Sequence, residues 1–298
     1  MKSAVLKNLE ALSDARTHLD GKRLYELSEL SYLVAEKIKE GRVSLKTPYA
    51  FADAVRYLLS DDRKQPLAPQ AYQAVMQRSK GAAYTLDLSA FSLFLSERIS
   101  KIAFSPFALQ GVERKTAKIA YVPSLLAEEA YLRICEHVKD ASVLYAKGAE
   151  EACAALAAGE SDFALLPILN TNGERLSTIE KLTLRYKTYI AAAVRASHGE
   201  GGEALFGLFS LSPEAVLKTG ERCLSLDVAT SSYSEACDVL SCLSVFGFLL
   251  SGVSHAPTRS GGVSSRILLR GCGDERALWF FLSLCTRDFT LLGSYFEL

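Results

Sequence analysis

The first hundred residues carry a helical period and nothing else. From Leu12 the apolar positions Leu19, Leu24, Leu27, Leu30, Val34 and Ile38 fall mostly three or four apart, which predicts one long helix with a narrow stripe. Such a stripe cannot bury itself alone and predicts packing against a partner chain. A second helix is expected around Phe51, Ala54, Val55, Leu58 and Leu59, a third after Pro66 and Pro69, and a fourth through Phe91, Leu95, Ile99 and Ile102. Near 103–116 the pattern dissolves around Pro106 and Gly111, as a linker would.

Beyond the linker the period changes. Strand 118–122, helix 125–138, strand 142–145, helix 149–158 and strand 163–168 alternate, the signature of a parallel sheet carrying helices. A loop at 170–174 and another helix follow, then strands 188–195 and 205–211 joined across Ser197–Glu203, read as a hairpin loop. After Pro213 the order is strand 222–229, helix 234–245, strand 248–256, strand 264–270, helix 274–285 and strand 289–296, a βαββαβ unit of the ferredoxin-like kind. The expected fold class is therefore α/β multidomain, with domains at 1–103 (all-α), 116–213 (a single α/β lobe) and 218–298 (βαββαβ).

Composition narrows the function classes. With 34 basic and 34 acidic residues there is no net field to gather polyanions, so nucleic acid is not an expected partner. The apolar runs 245–253 and 277–285 are too short to span a bilayer, so no membrane insertion is expected. Seven cysteines, at 135, 153, 223, 237, 242, 272 and 285, show no C-x-x-C pair and fit a reduced, cytoplasmic chain. Cys237 and Cys242 read as small core residues. His18, His137, His198 and His255 have no metal-ligand spacing, so no metal and no cofactor are expected. Gly199-Glu-Gly-Gly202 precedes a strand, not a helix, which argues against a phosphate loop.

Three blocks in this order resemble the bifunctional P-proteins, which join chorismate mutase, prephenate dehydratase and an ACT domain. Leu9-Glu-Ala-Leu12, Leu19-Asp20, Leu24, Leu27, Glu29 and Leu33 resemble the first helix of the all-helical chorismate mutases. Ala152–Thr171 resembles the dehydratase stretch that leads into Pro-Ile-Glu-Asn-Ser: Pro167, Ile168, Asn170 and Gly173 match, Thr171 stands for the serine, and Leu169 replaces the glutamate. Gly247, Pro257 and Leu292-Gly-Ser-Tyr295 resemble the ACT tail.

The resemblance also implies what is lost. Three cations of the mutase helix fall on Ser13, Leu30 and Gly41, and one preorganised donor of this kind is worth about 3 to 4 kcal/mol of transition-state stabilisation. The family's second-helix acids fall on or near Phe51 and Val55. The dehydratase Thr-Arg-Phe strand reads Ala204-Leu205-Phe206, and the second lobe is reduced to the span Ser197–Glu203. The glycine-rich substrate loop reads Tyr121-Val122-Pro123-Ser124. No catalytic residue is therefore assigned. Asn170, Thr171 and Gly173 remain as ligand-binding candidates, and Ser234, Glu235, Gly247 and His255 mark the ACT ligand region, where Glu235 would set a carboxylate against an incoming amino acid. The expected protein is a non-catalytic homodimer acting as regulator, scaffold or binder of a small aromatic metabolite or amino acid. The alternative is residual or altered chemistry of the same two kinds.

Overall fold

The computed structural model describes residues 21–43, 45, 51–55, 81–100, 117–138, 140–197, 202–213, 215–217, 219–258 and 261–298. The third predicted helix, the linker and most of the 197–203 loop lie outside these residues. The described elements are α1 (Gly21–Lys39), α2 (Ala82–Arg98), β1 (Ala117–Tyr121), α3 (Leu125–Cys135), β2 (Ala141–Tyr145), α4 (Ala149–Ala158), β3 (Phe163–Leu169), α5 (Ser177–Tyr186), β4 (Tyr189–Ser197), β5 (Glu203–Ser210), β6 (Glu221–Thr230), α6 (Tyr233–Cys242), a 3-10 turn (Leu243–Phe246), β7 (Leu249–Pro257), β8 (Val263–Arg270), α7 (Glu275–Cys285) and β9 (Asp288–Glu297). The chain divides into two compact units, Met1–Pro106 with Asp227–Thr290, and Phe107–Leu226 with Leu291–Leu298.

In the unit holding Phe107–Leu226 the hydrogen-bonded strand order is β2-β1-β3-β5-β4-β9-β6. β1 pairs in parallel with both β2 and β3, while β5 runs antiparallel to β3 and β4. Its core gathers alternate residues of these strands, Ile119, Tyr121, Phe163, Leu165, Val194, Phe206 and Leu208, under Ala127, Ala130 and Ile134 of α3. Helix α3 stops at Cys135, three residues before the expected end. β9 enters this unit beside β4, with Ile190 paired to Gly293. A Cβ at Gly293 would lie 2.6 Å from the Ile190 carbonyl oxygen, so only glycine permits this approach.

The other unit has strand order β9-β6-β8-β7. β7 is exposed along almost its whole length and pairs only with β8 among the described residues. The α1 stripe Leu27, Leu30, Val34 and Ile38 is buried, and α1 packs against α2 of the same chain. Residues 51–55 are helical, with Phe51 and Val55 fully buried. Phe91 and Leu95 of α2 and Ile99 after it are buried, and so is every residue from Thr85 to Leu93, because α1, α6 and α7 all pack on α2. One reading needs correction. Cys237 is exposed rather than a core residue, since it lies on the outer face of α6; Cys242 is buried.

Candidate functional site

Parallel strands present their carboxyl ends to a common edge, and a crevice opens where the chain leaves one strand to either side. β1 is such a strand here, flanked by β2 and β3. At that edge lie Val122-Pro123-Ser124 after β1, Ala146-Lys147-Gly148 after β2 and Asn170–Glu174 after β3. Ser124 is used locally, its Oγ accepting from the Ala127 N–H at 3.2 Å to cap α3.

The loop after β3 is organised by one side chain. Asn170 Oδ1 accepts from the backbone N–H of Asn172 at 3.0 Å and of Glu174 at 2.9 Å, and its Nδ2 donates to Glu174 Oε2 at 2.9 Å. The main chain closes the same turn, with the Gly173 N–H donating to the Asn170 carbonyl at 2.9 Å. Gly173 sits at φ 76°, a left-handed value that favours glycine. Asn170 is thus committed to shaping the loop, while Thr171 and Gly173 are exposed. Thr171 lies close to Gly202, the residue just before β5: a Cβ on Gly202 would stand 3.1 Å from its Cβ.

β3 changes register between Pro167 and Leu169. Proline has no N–H to give the ladder, so the irregularity falls where the sequence demands it. One consequence is that Leu169 comes to pair with Leu205 on β5. Ala204 and Phe206, on either side, are buried, as is Leu205 itself. β4 and β5 stay paired out to Ser197 and Glu203, so the described strands leave only 198–202 between them. Arg195 straps this end of the sheet, donating to Glu203 Oε1 at 2.7 Å and through Nε to the buried Glu297 at 2.8 Å. Those hydrogen bonds, the Glu203 one foremost, hold its guanidinium more basic than usual.

Behind the crevice lies an aromatic group that periodicity did not single out. Tyr121 is fully buried and donates to Glu128 Oε2 at 3.0 Å. Its ring stacks on Tyr131 at 5.4 Å and meets Tyr145 edge-on at 5.5 Å. Burial first, then the nearby Glu128, pushes the Tyr121 hydroxyl well above its ordinary value; burial, then Cys135, pushes Tyr131 up to about 12. Neither tyrosine is a proton donor suited to neutral pH.

In the other unit the candidates Ser234 and Glu235 lie in the first turn of α6, Gly247 after the 3-10 turn and His255 on β7. Glu235 turns back on its own helix: its carboxylate accepts from the Ser231 N–H at 2.7 Å, while Ser232 Oγ accepts from the Glu235 N–H at 3.2 Å. This is a capping-box arrangement, and Ser232-x-x-Glu235 signals it in the sequence. Ser234 is exposed beside it. His255 Nδ1 lies 2.8 Å from the buried Ser265 Oγ and its ring meets Tyr233 at 5.5 Å. Gly247, at φ 87°, ends the 3-10 turn. Among the described residues no cluster of His, Cys, Asp and Glu could hold a metal ion, and no helix is long and apolar enough to cross a membrane.

No protein-family model matches the chain, and no curated protein does. Solved structures do. Prephenate dehydratase from Streptococcus mutans superimposes with a TM-score of 0.51 at 18% identity, over 61% of this chain and 99% of that one. A prephenate dehydratase from Arthrobacter aurescens, solved with L-Phe, gives 0.49 at 15% identity over 60% and 89%. A protein described as GqqA, a novel type of quorum-quenching acylase, gives 0.47 at 18% over 60% and 94%. The chain therefore has a mixed α/β fold resembling that of prephenate dehydratase.

Proposed function

We propose that this protein is a P-protein-like homologue with degraded active sites, a non-catalytic regulator, scaffold or small-ligand binder in aromatic amino-acid, specifically phenylalanine, biosynthesis. The reading takes the chain as three modules, a chorismate-mutase-like 1–103, a single dehydratase-like lobe at 116–213 and an ACT-like 218–298. It places the protein in the cytoplasm as a homodimer.

The observation that carries the proposal is the pairing of Leu169 with Leu205. Dehydration of prephenate needs a hydroxyl and a cation held around a dianion in a site closed to water. Here the positions of the glutamate and the arginine are filled by two hydrocarbon side chains that satisfy each other, and the threonine position is the buried Ala204. The β4–β5 pairing, which runs out to Ser197 and Glu203, supports the absence of a second lobe, without which the crevice is a shelf open to solvent. The strand order β9-β6-β8-β7 supports the ACT-like reading of the last module. The Asn170–Glu174 loop, although it resembles the family's, spends its amide on itself, which weighs against residual chemistry.

The test is direct. The purified protein, incubated with prephenate or chorismate and followed by chromatography, is expected to give phenylpyruvate or prephenate no faster than buffer. Turnover well above that background ends the proposal in favour of the enzymatic alternative. Calorimetry against prephenate, chorismate and the aromatic amino acids then separates a ligand binder, which gives heat with at least one of them, from a scaffold.

A further inference from the structure

Helix α7 is apolar all round: Ala277-Leu-Trp-Phe-Phe-Leu-Ser-Leu-Cys285 is buried at every position. A helix laid on one sheet buries a stripe and wets the rest, so a helix of this composition needs cover on its far side as well. On one side Trp279 stacks against Phe289 of β9 at 5.9 Å. Elsewhere Phe280 meets Phe51 at 4.6 Å, and α2 packs along α7. Helices from the first hundred residues therefore complete the core of the βαββαβ segment within one chain.

The packing is pinned by polar contacts at one end. Ser96 Oγ, on α2, donates to Asp274 at 2.8 and 3.0 Å, and Asp274 in turn caps α7 by accepting from the Ala277 N–H at 2.9 Å. Arg276 reaches the other way, its Nη1 donating to the carbonyl of Ile99, the C-cap of α2, at 3.0 Å. The carboxylate serves a positive helix N-terminus and the guanidinium a negative C-terminus, so both contacts also follow the helix dipoles. α2 passes the connection on: Asp87 takes a two-pronged pair from Arg23 of α1 at 2.6 and 3.1 Å, and Arg98 donates to Ser28 and Ser31 of α1 at 2.7 and 3.0 Å.

We infer that α2 is a built-in strap that couples α1 to the βαββαβ segment, with the Ser96–Asp274 and Arg276–Ile99 contacts as its latch. A disturbance at the N-terminus of α7, where the turn from β8 arrives, is transmitted through α2 to α1. The helical segment and α7 then open as one coupled unit, whatever the catalytic status of the other unit.

Hydrogen–deuterium exchange on the full chain tests this. Releasing the latch with Ser96→Ala and Arg276→Met together keeps the Asp274 cap on α7. It is expected to speed exchange about tenfold or more in α2 and α7 alike, and in α1, while 117–197 keeps its protection. Faster exchange confined to α2, or no change in either helix, overturns the strap. Should the double variant fail to fold, the wild-type protein in graded sub-denaturing urea decides the matter. α1, α2 and α7 are then expected to open at one common free energy, and α7 opening at a different one overturns the inference.

Discussion

Placing a guanidinium at Leu205 would desolvate a charge whose neighbour across the ladder is Leu169, a hydrocarbon. Leu205 is only 4% exposed, so Leu205→Arg is expected to cost about 2 to 4 kcal/mol by urea denaturation. Leu169 is half-buried, and Leu169→Glu should cost less. Combining the two sets opposite charges across the ladder, and a double-mutant cycle should return a favourable coupling of about 1 kcal/mol. No coupling would mean that the two side chains do not face one another. The tyrosine group allows a second residue-scale prediction. Tyr131 titrates near 12 in the folded chain, against 10.0 for an unhindered tyrosine. The folded state holds its proton longer than the unfolded state does, so this group leaves stability untouched below about pH 10 and erodes it as pH climbs from 10 towards 12. The tyrosinate absorbance at 295 nm that the wild-type protein shows beyond a Tyr131→Phe variant should appear above about pH 10 and together with loss of far-ultraviolet ellipticity; a difference appearing well below unfolding would contradict the raised value.

At the scale of elements, Gly293 lies on β9 directly against the backbone of Ile190 on β4. Gly293→Ala would press a methyl group into the Ile190 carbonyl 2.6 Å away, and backbone cannot swing aside as a flexible side chain can. A loss of about 2 kcal/mol or more, read as a lowered thermal midpoint, is expected, and an unchanged midpoint would show that the strands part easily. The strand and helix succession from 117 onwards was legible because buried strands and amphipathic helices differ in period, and Ala149–Ala158 falls where the alanine run predicts it. α2 was less legible. Only Phe91, Leu95, Ile99 and Ile102 marked it in the sequence, while serines such as Ser89, whose Oγ donates to the Leu86 carbonyl of its own helix, are buried as well. At the candidate site the hydrocarbon side chains of Leu169, Ala204 and Leu205 were readable one by one. That Leu169 meets Leu205 was not, because the register shift at Pro167 decides it. The turn of Glu235 onto its own helix is signalled by Ser232 three residues before it.

For the whole molecule, the modules read from resemblance and the compact units drawn by packing have different borders, since the chain passes twice through each unit. The segment 116–213 leaves out Leu217, which is buried in its core, and the last strand, whose Phe296 and Leu298 pack against that core. It also leaves out Glu297, which binds Arg195 from a position only 5% exposed. Without β9 the β4 edge, Tyr189–Ser197, becomes an unpaired run containing five alanine and valine residues, the kind of edge that recruits other chains. Expressed alone, 116–213 should therefore aggregate or bind a hydrophobic dye with weak thermal cooperativity. Supplying the missing strand as a peptide covering 288–298 should restore a cooperative melt, if parallel pairing with β4 is what the fragment lacks. A fragment that melts cooperatively by itself would show that the last strand is dispensable, and that the borders read from resemblance are also the borders of folding.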